Sequence, residues 1–436
     1  VGVAPTLASV GTQREAIARV YRRAAFGLAP GELDELEAVG VDGVIDRLVE
    51  PEAHGIPAGP EDLFADLVLP IFDSTGSSIL AATRWMDHLL VAARPFEEWM
   101  GWYWHGHLVL SAAEVPLTRL VANHITLLRG HSLGSFPALL RAVSVDAGML
   151  RYLNGDESSG DSPNENYSRE LLELFALGFG HFFESDVQAG AKALTGWRVD
   201  LMPTQDDEHF APSVRFDPSA HDDAPQEYLG RSGVHDLDTV IDAVVAHEAC
   251  TPFVAARFGR AVLGPEADEA LLADLGDRFR DADLDLRVLA RGVLEAVAED
   301  RTADLVLGPV AWLLQAQRAT GAVLQSEDRF WNLFHAGQTP LWPPNVGGWP
   351  GGSGWLTSAA TLRRFNMAGT VAMASPEDNP ARQAAAEGDL DALADALGRP
   401  EGFSDPTRDA LADLSRADGG IGVLTAALAS PDMVRA

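Results

Sequence analysis

Apolar residues recur at three- and four-residue spacing along most of this chain, and strict alternation is scarce. That pattern predicts helices rather than sheet. Thr12-Gln-Arg-Glu opens with a capping-box arrangement, and the periodic run Ala16–Ala25 stops at Gly27. Further helices are expected at Gly31–Val39, Val41–Val49, Ser78–Ala93, Leu117–Arg129 and Pro137–Val143. Phe96–Trp104 is apolar nearly all round and predicts a buried helix. The pattern resumes over Asp238–His247, Pro252–Leu263, Ala267–Arg280, Asp285–Ala298 and Pro309–Thr320.

Three stretches break the periodicity. Residues 51–63 are rich in proline and glycine, residues 198–236 carry Pro, Asp, Gly and three histidines, and residues 336–356 form a Gly/Pro/Trp loop. A long irregular segment such as 198–236 inside a compact body is usually functional or disordered. The expected fold is therefore mainly α: a multi-helix globular domain with long irregular functional loops and little or no sheet. A single helical body is expected over 1–374, with core motifs at 99–230 and 336–365. Ser375–Ala385 reads as a polar linker, and 375–436 as a short acidic helical extension packed on the body.

The stretch from Ser162 to Trp197 concentrates the charge inside this pattern. Glu165, Glu170, Glu173, Glu184 and Asp186 are interleaved with leucines and phenylalanines at helical spacing. Ser162 and Glu165 predict a capping box with Pro163 in the first turn of a helix running to Leu177, where Gly178 stops it. Ser185 and Gln188 repeat the arrangement for a second helix ending at Gly196. Charge threaded through a core-forming helix is costly unless something pairs with it.

Composition narrows the classes. The chain has 436 residues, 64 of them acidic and 32 basic, for a formal net charge of −32. That balance argues against nucleic acid and against an anionic membrane surface as partners. No run approaches the length of a transmembrane span. Cys250 is the only cysteine, so no internal disulfide forms, and a buried thiol is expected. The chain begins at Val1 rather than methionine, which fits a processed or trimmed form, and no signal peptide is visible in it.

Arg22-Arg-Ala-Ala-Phe-Gly-Leu, Trp104-His-Gly-His-Leu, Asn164-Glu-Asn-Tyr-Ser-Arg-Glu-Leu-Leu-Glu-Leu-Phe, Ala193-Leu-Thr-Gly-Trp, His221-Asp and Pro343-Pro-Asn-Val-Gly-Gly-Trp-Pro occur in that order. Together they resemble the bacterial domain-of-unknown-function family numbered 1800, from about residue 15 to Ala429-Ser-Pro-Asp-Met. The family's usual Trp-His-Asn-His-Phe here reads Trp-His-Gly-His-Leu, so both histidines are kept while the amide and the following aromatic are not. The resemblance implies the family's fold and an exported location, extracellular or in the cell envelope. It implies no reaction.

The chemistry must come from the residues. His105 and His107, two apart, face opposite ways if the helix from Phe96 continues, and reach one metal ion if Gly106 breaks it. Glu170 and Glu173 share a helix face among apolar neighbours. Such a pair raises one carboxyl pKa or binds a cation, unless Arg169, Arg198, Arg22 or Arg23 neutralises it. Glu165 has a capping role, and Glu184 and Asp186 suit a helix N-terminus. His221 beside Asp222 suits a metal ligand or an oriented imidazole, against the plainer reading of a solvated turn. His209 and His235 are weaker candidates of the same kind. Trp342, Trp349 and Trp355, with Asn345, offer stacking surfaces for a sugar, or plug the core.

The function expected first is an exported metal-dependent enzyme, hydrolytic rather than redox. His105, His107, Glu170, Glu173 and His221 would hold a divalent Zn, Mn or Fe ion, and a spare glutamate would serve as base. Two alternatives are a metal-dependent oxidoreductase and a metal-free glycoside-cleaving enzyme that pairs Glu170 or Glu173 with Asp222. The last is a non-catalytic secreted binding or scaffold protein. A carbohydrate or another extracellular molecule is the expected substrate.

Overall fold

A computed structural model describes residues 12–67, 69, 75–201, 212–417 and 419–436. Helices hold 61% of the described residues, and the sheet among them consists of two small two-stranded pieces, so the protein is mainly α. Local chemistry explains many helix starts. Thr12 accepts the Glu15 amide before Gln13–Ala24, Asp268 caps Glu269–Asp281, and Asp285 caps Leu286–Ala298. Pro309 opens Pro309–Thr320 at a position where its missing N–H costs nothing.

The helix that matters most for the site is Pro95–His107, called the tryptophan helix below. It packs on Thr118–Gly130 and is joined to it by a buried ion cluster. Glu98 is 3% exposed and receives Arg129 Nη2 at 2.6 Å and His88 Nε2 at 2.8 Å. Burial pushes the Glu98 carboxyl up, yet the bonds from Arg129 and His88 outweigh it and hold the group below its ordinary value. Trp104 is fully buried and gives its indole N–H to the Ser132 carbonyl at 3.1 Å.

Cys250–Leu263 lies against Glu269–Asp281 and Leu286–Ala298, and Gln13–Ala24 packs on the last of these. Cys250 is buried, which pushes its thiol up to about 12. The C-terminal helices are held closely to the rest: Gly420–Ala429 lies on Ser358–Ala374, and Trp312 donates to the Leu428 carbonyl at 3.1 Å. Among the described residues no single helix is long and apolar enough to cross a membrane.

Several local expectations are corrected. The acidic helix begins at Asn166, not Pro163, because Ser162 pairs its backbone with Ser159 instead of capping. It is α-helical only to Glu170 and then widens into a π-helical turn over Leu171–Ala176. Its successor spans Glu184–Ala193, and Asp186, not Ser185, closes the cap by accepting the Phe183 amide at 2.8 Å. Within 198–236, Trp197–Asp200 pairs with Ser213–Phe216, and Gln226–Tyr228 with Arg231–Val234. Residues 380–385 of the expected linker belong to the helix Pro380–Glu387. His209 lies outside the described residues.

Candidate functional site

The tryptophan helix continues through Gly106, so the two histidines point apart. His105 is fully buried among Trp85, Trp102 and Trp349, at ring-centroid distances of 5.3, 6.1 and 5.1 Å. Neither of its ring nitrogens has a hydrogen-bond partner among the described residues. Burial, and then His124, press its pKa well below the ordinary range, so the ring is neutral. His107 stacks on Tyr103 at 5.9 Å, and its Nε2 stands 3.0 Å from the Phe175 carbonyl. A carbonyl only accepts, so Nε2 carries the proton and Nδ1 is a bare lone pair. Burial, then the charge of Arg257, lower the His107 pKa to about 3.

The acids of the central stretch are mostly paired. Arg169 reaches Glu184 at 2.6 Å, Glu165 at 3.1 Å and Glu173 at 3.8 Å. The other arginines named from sequence go elsewhere: Arg198 and Arg23 to main-chain carbonyls, Arg22 to the Gly398 carbonyl and Glu401. Glu170 is the exception. It is half-buried with no hydrogen bond or ion pair among the described residues, and burial followed by Glu173 raises its pKa.

His221 and Asp222 belong to a structural clasp. His221 Nδ1 donates to the Thr195 carbonyl at 3.0 Å, and Thr195 Oγ1 accepts the Asp222 amide at 2.8 Å. Asp222 Oδ1 accepts the Ala224 amide, and Gly196 exchanges backbone bonds with Ser158 and Asp217. The clasp thus ties the Ala193–Trp197 motif to the His221-Asp motif. His235 is exposed and bonds the Gly233 carbonyl.

A protein metal site needs three or four converging donors. Among the described residues no group of three or more His, Cys, Asp or Glu side chains is arranged to hold an ion. His105, His107, Glu170, Glu173 and His221 therefore do not form such a group among the described residues.

The 336–356 loop divides. Trp342 packs edge-on against Phe330 at 5.5 Å, and Asn345 is exposed, its Oδ1 taking the Gly347 amide. Trp349 docks on the tryptophan helix, stacked on Trp102 at 5.1 Å and 16°. Gly348 permits the docking: a Cβ there, where φ is +85°, would stand 2.3 Å from the Gly106 carbonyl oxygen.

The docked loop closes one side of a cleft of about 630 Å³ between the tryptophan helix and Cys250–Leu263. Trp99, Trp102 and Trp355 line it and are only 8%, 9% and 5% exposed, so little of their rings is open. The wall carries His107 Nδ1, the Tyr103 hydroxyl and the Trp349 indole N–H, each shielded and without a hydrogen-bond partner among the described residues. It also carries Arg257, which is exposed and has no ion pair or hydrogen bond there, and whose charge acts on both His107 and Tyr103. Arg23 is buried and held by the main-chain oxygens of Val262, Ala303 and Ala436; burial, then Arg22 and Arg19, lower its pKa to about 9. Glu266 is the one acid in the lining.

Arg257 was not singled out by sequence. It sits on a regular helix, where an arginine reads as a solvated face. The usable signal is the spacing Phe253, Arg257, Arg260, which puts an aromatic and two cations on one face.

No curated protein and no solved structure matches the chain. The family described as "Protein of unknown function (DUF1800)" matches residues 19–435. The match covers nearly the whole chain, and this chain belongs to the DUF1800 family.

Proposed function

We propose that this chain is a binding protein for a ring-bearing organic anion, a sugar acid being the simplest, held in the cleft between the tryptophan helix, Cys250–Leu263 and the 347–355 loop. The observation that carries this reading is the unpaired Arg257 guanidinium standing in an aromatic wall, in a chain whose net charge is −32. An arginine left without a carboxylate where acids outnumber bases two to one is a place for an external anion. The indole and phenol rings that line the cleft supply an apolar surface for a ring.

Binding is better supported than cleavage. Glu170, Glu173 and Asp222 are not among the residues lining this cleft. Glu266 alone does not supply the two carboxylates that glycoside hydrolysis uses. His107, with its pKa driven to about 3, is a poor general base near neutral pH.

Calorimetric titration with D-glucuronate and with D-glucose tests the proposal. Glucuronate binds the wild type, glucose binds much more weakly, and Arg257→Gln lowers glucuronate affinity by roughly 10- to 100-fold, the worth of a hydrogen bond to a charged group. Equal affinity for the two sugars, or an unchanged titration in Arg257→Gln, contradicts it.

A further inference from the structure

A second cleft of about 690 Å³ lies on the other side of Arg257 and Arg260, and these two arginines line both clefts. Its character differs. Leu177, Phe179, Pro252, Phe253, Ala256 and Leu272 make it largely apolar, with acids only at Glu248 and Glu269. Glu269 is already engaged by Arg260, which leaves Arg257 as the uncommitted charge at the junction. Phe179 lines this cleft and is nevertheless 72% exposed, and Phe183, four residues on, is 79% exposed. Exposed phenylalanines cost solvation unless something apolar comes to meet them.

We propose that the two clefts are one binding track for an anionic amphiphile, with the ring in the aromatic cleft, the acidic group at Arg257, and an apolar chain in the second cleft under Phe179. This rests on the reading of the aromatic cleft given above and names the ligand class. Charge complementarity selects the occupant. A neutral lipid chain leaves Arg257 unused, and an anionic bilayer is repelled by the net charge of −32, so a free single-chain amphiphile is the fit. The apolar chain replaces water against Phe253 and Leu272, each buried methylene adding to affinity. A ligand with ring and acid but no chain fills half of the track.

The test compares D-glucuronate, octyl β-D-glucuronide and octyl β-D-glucoside, the last two below their micelle thresholds, by calorimetry on the full chain. Octyl glucuronide binds at least about tenfold tighter than glucuronate. Ala256→Trp, which fills the second cleft alone, removes that advantage and leaves glucuronate affinity unchanged. Ala273→Trp, at an exposed position of the same cleft, is a second blocking variant should the first fold poorly. Arg257→Gln weakens both anions by a similar factor, and octyl glucoside binds weakly throughout.

Octyl glucuronide no tighter than glucuronate, or an advantage that survives both blocking variants, overturns the track while leaving the aromatic site standing. Glucuronate binding indifferent to Arg257→Gln overturns the underlying reading as well.

Discussion

His107 donates its Nε2–H to the Phe175 carbonyl across 3.0 Å, tying the last turn of the tryptophan helix to the π-helical turn that ends the acidic helix. The Phe175 carbonyl lies in the final turn of its helix, where main-chain acceptors lack partners of their own. Two stretches about seventy residues apart thus meet through a main-chain group, not through the carboxylates that made the second stretch conspicuous.

Acid should weaken the fold through this histidine. Its folded pKa is about 3 against an ordinary 6.5, so between those values the unfolded chain binds a proton that the native one does not. Stability is then full above pH 6.5 and falls as pH drops toward 3. Denaturant unfolding of wild type and His107→Gln at pH 7.5 and 4.5 checks this. The wild type's advantage narrows by roughly 2–3 kcal/mol at the lower pH. His105, lowered in the same direction, keeps some acid sensitivity in the variant. Parallel pH dependence of the two proteins counts against it.

Gly348→Ala should loosen the loop that forms the cleft wall. The added Cβ meets the Gly106 carbonyl at 2.3 Å, in a left-handed backbone that alanine resists. A loss of more than about 1 kcal/mol is expected, read as a lowered Tm, together with faster proteolysis within 345–356. A variant as stable and as resistant as wild type would mean the loop has room to shift.

Arg129→Met should be among the most damaging single changes. It strands the Glu98 carboxylate, 3% exposed, with only His88 as partner. Breaking a buried pair from one side costs about 3–5 kcal/mol. Adding Glu98→Gln to the same chain should recover part of that loss, because the stranded charge is gone. No recovery in the double variant would show that arginine packing, not charge, sets the cost.

Much of the fold is legible in the residues because helix signals are local. Thr12, Pro309 and the periodic run of Pro252–Leu263 mark elements close to where they occur. The Ser162 capping box misleads because a local backbone pairing with Ser159 competes for the same residues. The widening over Leu171–Ala176 leaves no mark in a pattern that a plain α-helix would share. His221 beside Asp222 suggests a ligand, whereas in the structure His221 Nδ1 and the Asp222 main-chain amide both bond Thr195, a partner 26 and 27 residues away. Arg257 carries no such signal for the reverse reason: it has no ion pair among the described residues where several distant segments converge, and that is a tertiary fact.

On the proposed function, Arg257 and the aromatic wall hold the acidic group of a ring-bearing ligand. The most direct measurement is a crystal structure of the protein soaked in saturating D-glucuronate. The sugar is expected in the cleft beside Trp349 and Tyr103, its carboxylate about 2.7–3 Å from the Arg257 guanidinium. Glucuronate bound elsewhere, or a cleft holding only solvent, would contradict it.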